Sequence, residues 1–584
     1  MTTPDDRTYF VPSHTGPYIL PAHPFFNRLV RFANSIPRRT CIRDANEETP
    51  RDYTHVQLLT DVLAFRARIW NLLSQSTQQA LDRQDEVYVA VLAAGGYEYA
   101  VSMLAALALG AAVVPMTVHL PAEEALYFIT KSRAVCILCS AAALPLGESV
   151  ANLLSQRDAH STFIALPAGP SLNHSPLNAS DIKISSNTYL SDNAPGVVIF
   201  TSGTTGPPKG AVMRRGFIHD TALAVADGYQ LGPEDTLLHV LPVHHATGIG
   251  INFFPCLFSG CVIEFRTGSF SPEWTWERWR QGGITVFSGV PTIYMRMQRY
   301  YEQVLATRGN VQEYVRGARG IKACLCGTSA LPKPIADFWA SILGKKIMLR
   351  YGATEIGAVF KVRIGDERVP DGSVGTLFAG VDVQLLGEDG KYGDEGEVVV
   401  RSPAGELFSK YLFDPDATAK AHTPDGYYRT GDIARREKVG DTYYHWILGR
   451  ANIDIIKSGG YKLSALDIER EILALPYVAE VMVVGVPDLE FGERVGAAVV
   501  LKEAKDQKGD SPVVQLSIER LRADLRARLA GYKMPTILRV VADELPKSGT
   551  GKVVKKILGP QFFPKDYAHL PAVQSWSAGS KTKL

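Results

Sequence analysis

Cysteine is scarce in this chain: there are seven among 584 residues, an odd number for a protein held together by disulfides. So few thiols in so long a chain argue against a disulfide framework and favour a reducing compartment. The chain also lacks an excess of either charge, because 62 Lys and Arg stand against 60 Asp and Glu. A net charge of +2 argues against nucleic acid or an anionic membrane as the main partner. Any anion that the protein binds must therefore be held by local groups.

Targeting signals are weak or missing. The N-terminus has neither the apolar run of a secretory signal nor the Arg-rich character of a transit peptide, so we expect an intracellular, cytoplasmic protein. The last residues, SKTKL, weakly resemble the peroxisomal SKL ending, which makes the peroxisome the alternative location.

One apolar stretch, residues 99–116, carries no charge over 18 residues and is long enough to span a membrane. Gly110 and Pro115 interrupt it, and Glu98 lies at its edge. These interruptions instead predict a buried helix, a turn and a core strand, and no membrane span.

The length and composition predict more than one folded domain. Hydrophobic residues make up 46% of the chain and its mean hydropathy is -0.01, which is typical of globular proteins. From residue 86, apolar runs alternate with helix-like segments, as in a parallel α/β sheet. Between residues 375 and 400, short alternating strands with Gly turns predict an antiparallel, barrel-like region.

A second change of pattern follows residue 449, where an amphipathic helix (464–475), an apolar strand (481–486) and a charged helix (518–530) predict a separate α+β domain. The predicted fold class is therefore α/β, with a large N-terminal domain and a small, mobile C-terminal domain. The predicted segments are residues 1–449, a hinge at 450–453, the second domain at 454–570 and a tail at 571–584.

The strongest local motif is IFTSGTTGPPKGA, residues 199–211, in which an apolar strand enters a loop of glycines and hydroxyl residues. Glycines let backbone N–H groups approach an anion, hydroxyls donate further hydrogen bonds, and Lys209 adds a charge. The spacing differs from that of a kinase-type P-loop, because Pro208 stands where that motif needs Gly. This loop therefore predicts a phosphate site, and a plain surface loop is the alternative reading of the motif alone.

Five motifs, found in the same order as in that group, make the chain resemble the adenylate-forming superfamily over residues 24–556. This superfamily contains acyl- and aryl-CoA synthetases, luciferase and the adenylation domains of peptide synthetases. The motifs are TSGTTGPPKG from Thr201, YGATE from Tyr351, YRTGD from Tyr428, GRANIDIIKSGGYKLSALDIE from Gly449 and LPKSGTGK from Leu545. Within the superfamily, RVPDGSVG and VPDLEFGERV look most like stretches of malonyl-CoA synthetases.

The resemblance implies that the first two motifs hold ATP and Mg²⁺. The glycine-rich loop would contact the β and γ phosphates through Thr201, Ser202, Gly203, Thr204, Thr205, Gly206 and Lys209. In YGATE, Tyr351 and Gly352 would lie by the adenine and Thr354 by the α-phosphate. Glu355 would bind Mg²⁺, a hard cation that prefers oxygen ligands. An ordinary solvated or capping carboxylate is the alternative for Glu355.

The resemblance also implies a ribose and adenine site. Asp432 would accept both ribose hydroxyls, since a carboxylate has two acceptor oxygens, and Arg450 would lie near the same ribose. Gly327, which opens GTSALP, would belong to the loop beside the adenine. A turn cap and a surface arginine are the structural alternatives for Asp432 and Arg450.

Lys552 carries the largest implied role, because the superfamily places this lysine on the acyl carboxylate and the α-phosphate during adenylation. A fixed cation there stabilises the charge that develops in the transition state. A solvated lysine in a Lys-rich tail is the alternative. His245 would stand between the acyl pocket and the thiol entrance, and we expect it and His244 to lie on a strand and point to opposite sides, which argues against a paired metal site.

The C-terminal domain is expected to turn between two half-reactions. The superfamily's hinge corresponds to Asn452, but one extra residue before SGG makes Ile453 a competing position. After the turn, Ser458, Gly459 and Gly460 would approach the pantetheine arm of CoA.

The implied function is an AMP-forming acid–CoA ligase that joins a small carboxylic acid to CoA in two steps. We expect a short- or medium-chain acid, with a dicarboxylate as an alternative and Arg296 as the candidate cation for its distal carboxylate; a solvated Arg296 is equally compatible. A free-standing enzyme that loads a carrier protein is the second hypothesis. A regulatory nucleotide-binding protein is the third, and it is disfavoured because Thr354, Glu355, Asp432 and Lys552 are all present.

Overall fold

The structure, a computed structural model, describes residues 18–46, 49–158, 162–201, 207–327, 331–401, 410–451, 453–459, 461–502, 516–547 and 553–576. Its α-helices are α1 (Pro24–Ser35), α2 (His55–Leu72), α3 (Gln75–Asp82), α4 (Tyr97–Ala108), α5 (Ala122–Ser132), α6 (Leu144–Arg157), α7 (Arg215–Gly228), α8 (Phe254–Ser259), α9 (Pro272–Arg280), α10 (Pro291–Tyr300), α11 (Val311–Arg319), α12 (Lys333–Leu343), α13 (Pro415–Lys420), α14 (Ala465–Leu473), α15 (Ile518–Leu525) and α16 (Lys555–Phe562).

Its strands are β1 (Ile19–Ala22), β2 (Thr40–Asp44), β3 (Arg51–Thr54), β4 (Tyr88–Leu92), β5 (Ala112–Met116), β6 (Cys136–Cys139), β7 (Ile164–Pro167), β8 (Lys183–Tyr189), β9 (Pro195–Thr201), β10 (Lys209–Arg214), β11 (Thr236–His239), β12 (Val262–Phe265), β13 (Val286–Gly289), β14 (Ala323–Cys326), β15 (Met348–Ala353), β16 (Gly357–Lys361), β17 (Thr376–Leu377), β18 (Asp382–Leu386), β19 (Glu395–Arg401), β20 (Lys410–Tyr411), β21 (Tyr428–Val439), β22 (Thr442–Arg450), β23 (Ile455–Ser458), β24 (Tyr461–Ser464), β25 (Val478–Asp488), β26 (Gly492–Leu501), β27 (Ile537–Val541) and β28 (Val573–Ser575).

Two large, mostly parallel sheets form the body of the N-terminal part. One has the order β20-β10-β9-β5-β4-β6-β7, and the other has the order β17-β16-β15-β14-β13-β11-β12-β2-β3. Strands β4, β5 and β6 are buried along their whole length, as expected for parallel strands that are covered on both faces. One apolar core extends between the two sheets and includes the buried helix α4.

The apolar stretch at residues 99–116 folds as its Gly and Pro residues predict. Helix α4 ends at Ala108, Gly110 adopts a left-handed φ of +84°, and β5 begins at Ala112. Within the described residues, no helix is long and apolar enough to cross a membrane.

The antiparallel region predicted after residue 375 is a four-stranded sheet with the order β18-β19-β21-β22. A separate sheet, built from β23 to β28, follows with its own apolar clusters. Its helix α14 begins after Ser464, whose hydroxyl accepts a hydrogen bond from the backbone N–H of Asp467. The predicted α/β class with a smaller C-terminal unit is confirmed.

The segment expected to be a tail contributes a strand. Residues 573–575 form β28, which pairs antiparallel with β27. Trp576 lies beside it, with the guanidinium of Arg522 3.7 Å from its ring centroid, and the side chain of Gln574 accepts a hydrogen bond from the backbone N–H of Ile518. These contacts explain why the ordered C-terminal unit runs past residue 570.

Candidate active site

A single cavity of about 3140 Å³ lies where both large sheets, the four-stranded sheet and the C-terminal unit meet. Its lining includes these residues singled out from the sequence: Thr201, Lys209, His245, Tyr351, Gly352, Thr354, Glu355, Asp432 and Arg450. Ser458, Gly459 and Gly327 are described but do not line it. Residues 202–206, Asn452, Gly460 and Lys552 lie outside the described residues, so their predicted roles stay predictions.

The predicted phosphate loop connects two paired antiparallel strands. Strand β9 ends at Thr201, β10 begins at Lys209, and these two residues face each other across the ladder. The hydroxyl of Thr201 donates to the backbone carbonyl of Lys209 at 3.3 Å. The ammonium of Lys209 lies 5.3 Å from the ring centroid of Tyr411, at the cavity wall. The pair thus brings a hydroxyl and a cation together at the mouth of the loop.

Glu355 is held by a pair of buried tyrosines. The hydroxyl of Tyr411 donates to Glu355 Oε1 at 2.8 Å and lies 3.1 Å from the hydroxyl of Tyr428, the first residue of YRTGD. Burial raises the pKa of Tyr411 and of Tyr428, so both phenols stay protonated at neutral pH. Tyr411, a residue far along the chain, therefore orients this carboxylate, and Tyr428 of YRTGD contacts Tyr411.

The chemistry of Glu355 fits Mg²⁺, which prefers oxygen ligands and usually takes one or two carboxylates together with substrate phosphates. Among the described residues, no cluster of three or more His, Cys, Asp or Glu could hold a metal ion by itself. A metal at Glu355 would therefore depend on phosphate oxygens and water for its other ligands.

Asp432 lies at the centre of a three-residue contact formed by neighbouring strands. Tyr351 donates its hydroxyl to Asp432 Oδ2 at 2.7 Å, and Arg450 Nε lies 3.1 Å from Oδ1. Asp432 and Arg450 are register partners on β21 and β22. Burial raises the pKa of Asp432, and the Arg450 charge opposes that rise. Because each carboxylate oxygen has a second lone pair, Asp432 can still accept a hydroxyl on each oxygen.

Arg350 is a buried cation that the sequence reasoning missed. It lines the cavity with 8% of its surface exposed. Among the described residues, neither its Nε nor its Nη2 has a hydrogen-bond partner, and no carboxylate forms an ion pair with it. Its ionisable neighbours are Tyr229, Cys326 and Tyr294, and burial lowers its pKa. A charged residue inside the apolar strand pattern IMLRYGA was the available signal.

Arg350 and Tyr351 are neighbours in the sequence but lie on opposite sides of the strand. Arg350 and Tyr351 are consecutive on β15, so their side chains leave opposite faces of the strand. Tyr351 reaches Asp432, whereas Arg350 lies against the backbone of Gly327, where an added Cβ would be 2.9 Å from Nη1. Gly327 therefore makes room for the guanidinium, and its place in a loop beside the adenine stays a prediction.

Arg296, the cation expected from the sequence, lies elsewhere. Helix α10 buries Ile293, Tyr294 and Met297, which leaves Arg296 exposed. Its guanidinium donates to the carbonyl of Phe270 at 2.9 Å and lies over that ring, and it is not part of the cavity lining. Its contacts with Phe270, and not the position of its helix face, keep it out of the lining, because Thr292 and Arg299, one turn before and after it, do line the cavity.

The two histidines lie in a turn after β11 and not on the expected strand. Their ring centroids are 4.2 Å apart, so they do not point to opposite sides. Burial lowers the pKa of His244 to about 3, so this ring is neutral at physiological pH. The chain does not continue as a strand here because a helical turn begins. In this turn the backbone carbonyl of His245 accepts a hydrogen bond from the backbone N–H of Ile249.

The segments beside Lys552 line the cavity, whereas the described part of the SGG loop does not. The lining includes Lys547, Val553, Val554 and Lys555 together with Ile453, one of the two hinge candidates. The C-terminal unit thus presents the LPKSGTGK side of its surface to the cavity.

Comparisons with known proteins found matches over most of the chain. Residues 31–412 match the family described as AMP-binding enzyme, and residues 467–552 match the AMP-binding enzyme C-terminal domain. The chain is 35% identical over 495 residues to a probable CoA ligase, CCL8, of Humulus lupulus, covering 80% of this chain and 79% of that protein. It is 33% identical over 518 residues to the mitochondrial malonate–CoA ligase ACSF3 of Mus musculus, covering 84% of each.

Solved structures show the same fold. The crystal structure of ATP-bound MatB from Rhodopseudomonas palustris superposes with a TM-score of 0.74 at 25% identity, covering 92% of this chain and 99% of that one. A malonyl-CoA ligase in a ternary product complex with methylmalonyl-CoA and AMP gives a TM-score of 0.57 at 29% identity, covering 92% and 100%.

Proposed function

Because the chain belongs to the AMP-binding enzyme family, we propose that this acid–CoA ligase activates a short dicarboxylic acid, with malonate as the reference substrate. One carboxylate attacks the α-phosphorus of ATP and pyrophosphate leaves, which gives an acyl-adenylate. The thiol of CoA then attacks the acyl carbon, loses its proton, and displaces AMP. The names of the mouse relative and of the malonyl-CoA ligase structure support this substrate class.

The observation that carries the proposal is the buried Arg350. A guanidinium without a carboxylate partner is costly to bury, because its charge is neither paired nor fully hydrogen-bonded. Among the described residues its Nε and Nη2 have no partner. A substrate carboxylate in the cavity would supply the opposite charge, and the planar guanidinium of Arg is well suited to bind a carboxylate. A monocarboxylic acid would leave this site unsatisfied.

The nucleotide is proposed to occupy the other face of β15. Asp432 would accept the ribose hydroxyls, Tyr351 would lie beside the adenine, and Thr354 would donate to the α-phosphate. Lys209 and the loop that precedes it would hold the outer phosphates. Lys552 would stabilise the charge that develops between the acid and the α-phosphate. These assignments follow the motifs, and the shared cavity supports those of Lys209, Tyr351, Thr354 and Asp432.

Mg²⁺, when bound at Glu355, would neutralise phosphate charge and so favour departure of pyrophosphate. The residue's own part is to offer one oxygen to the ion while Tyr411 fixes its orientation through the other, Oε1. His245, at the cavity wall, is proposed to stand on the path by which the thiol enters.

CoA is proposed as the acceptor. The relatives named above are CoA ligases, and none of these names points to a carrier protein. A direct comparison of CoA with a phosphopantetheine-bearing carrier protein, each offered to the enzyme with malonate and ATP, separates the two acceptors.

The test is a comparison of acids by CoA-dependent AMP release, with malonate, butyrate, octanoate and coumarate at equal concentrations. Butyrate is the matched control, because it replaces the distal carboxylate of malonate by an uncharged ethyl group of similar size. We expect kcat/KM for malonate to exceed that for butyrate at least tenfold. A preference for octanoate or coumarate, with malonate ignored, would overturn the dicarboxylate assignment and leave the ligase activity standing.

A further inference from the structure

A buried ion cluster joins the segment after Lys552 to the start of the C-terminal unit. The ammonium of Lys555 lies 2.6 Å from Asp454 Oδ1 and 2.8 Å from Glu469 Oε1. All three side chains are at most 14% exposed. Burial alone would lower the pKa of Lys555, but Glu469 and Asp454 raise it, so the lysine is charged.

Backbone hydrogen bonds fix both carboxylates of the cluster. Asp454 Oδ2 accepts the backbone N–H of Arg450 at 3.1 Å, and its own N–H donates to the Arg450 carbonyl at 2.8 Å. Glu469 Oε1 also accepts the backbone N–H of Val483 at 2.7 Å. Gly449 has a φ of +128°, and a Cβ at this residue would lie 2.3 Å from the Asp454 Cβ. The close approach of Asp454 to the end of β22 therefore requires glycine here.

The contacts form a continuous path from the nucleotide site to α16. Tyr351 binds Asp432, Asp432 pairs with the side chain of Arg450, and the backbone of Arg450 binds Asp454, which binds Lys555. Lys555 is the first residue of α16 and lines the cavity. A displacement of the segment at 553–555 would break its two short ion pairs.

We propose that Lys555 is a positioning residue, which fixes residues 553–555, directly after the LPKSGTGK motif, relative to Asp454 and the end of β22 during adenylation. This inference rests on the two half-reactions of the proposed function. The path crosses residues 450–453, the predicted hinge, so a turn of the C-terminal unit changes the Arg450–Asp454 contact. Lys555 should therefore matter for adenylation and much less for transfer of the acyl group to CoA.

The test measures the two half-reactions separately in Lys555→Met, Lys555→Arg and Lys565→Met. Lys565 is an exposed lysine that follows α16, and it serves as the matched control. Adenylation is followed by pyrophosphate release without CoA, and transfer by thioester formation from synthetic acyl-adenylate and CoA. In Lys555→Met we expect a loss of about 10- to 100-fold in adenylation, the range for a hydrogen bond to a charged group. The rate of acyl transfer to CoA should stay within about threefold of the wild-type rate. Lys555→Arg should recover part of the lost adenylation rate.

Loss of the lysine alone leaves two carboxylates buried together and can unfold the unit. A second variant, which combines Asp454→Asn, Glu469→Gln and Lys555→Met, removes every charge of the cluster with little change of shape. The same split between half-reactions is expected in this variant. Equal loss in both half-reactions of a folded protein, or wild-type adenylation, overturns the proposal. The acid is whichever one the wild type turns over, so a failure of the malonate assignment does not affect this result.

Discussion

Replacement of Arg350 by methionine should change which acid the enzyme prefers. The side chain lines the cavity, is 8% exposed and, among the described residues, meets no carboxylate. Methionine fills a similar volume and carries no charge, so the pocket should keep its shape but lose its attraction for a second carboxylate. We expect kcat/KM for malonate to fall and that for butyrate to stay the same or rise.

The size of the effect follows from the burial of the guanidinium. Two unit charges about 4 Å apart attract by about 4 kcal/mol at an effective dielectric constant of about 20. This energy corresponds to roughly 10³ in kcat/KM, and desolvation of the acid consumes part of it. A fall of about 10² to 10³ for malonate is therefore expected, in line with the cost of truncating one partner of a buried charge pair.

The ligand-free protein should respond in the opposite direction. A buried guanidinium with two unpartnered nitrogens costs free energy, so Arg350→Met is expected to raise the free energy of unfolding by about 1 kcal/mol or more. A thermal unfolding experiment without ligand measures this change. Malonate should then reduce the difference in melting temperature between the two proteins, because it binds and stabilises only the wild type.

The assay is AMP release with malonate or butyrate, carried out on the wild type, Arg350→Met and Arg296→Met. Arg296 is exposed and lies outside the cavity, so its variant should stay within about threefold of the wild type for both acids. Malonate turnover that survives in Arg350→Met, or a selective loss of malonate in Arg296→Met, would refute the assignment. A parallel loss of both acids in Arg350→Met would point to the nucleotide site instead.

Three further predictions concern the other parts of the reaction. Lys552→Ala should lower adenylate formation by about 10² to 10³ yet still pass pre-made acyl-adenylate to CoA; equal loss in both assays would contradict its role in the first step alone. Gly460→Leu should spare pyrophosphate exchange and slow thioester formation, because the bulky side chain would meet the pantetheine arm only after the domain turns. Abolished exchange in a folded variant would disprove this placement. Tyr351→Phe removes the hydroxyl that binds Asp432 at 2.7 Å and should raise KM for ATP about 2- to 10-fold, with KM for the acid unchanged; steady-state titration of each substrate tests it.

Local patterns were enough to predict the kind of fold and several residues that the structure brings together in one cavity. Buried parallel strands are continuous apolar runs, and the helix, turn and strand at residues 97–116 follow directly from their punctuation. Tyr351, Asp432 and Arg450 belong to short motifs that the sequence alone displays, and the structure brings these three side chains into contact.

The sequence pattern was less informative where burial depends on distant segments. It favoured Arg296, but the packed face of α10 leaves that residue exposed. The segment IMLRYGA could not show that Arg350 lacks an acidic neighbour, because the groups around this residue come from β14, α10 and the residue after α7. The turn at His244 and His245 and the strand at 573–575 were missed for the same reason, since each is fixed by contacts with another part of the chain.

What the sequence determined by itself was the order and chemistry of the motifs, and with them the family and the α/β architecture. The tertiary structure decided that Arg350 is buried at the cavity without a carboxylate partner among the described residues, that Tyr411 orients Glu355, and how Lys555 is tied to Asp454. The physical reason is that a charge becomes selective only when it is buried and its partners are fixed, and both properties arise from residues far apart in the chain.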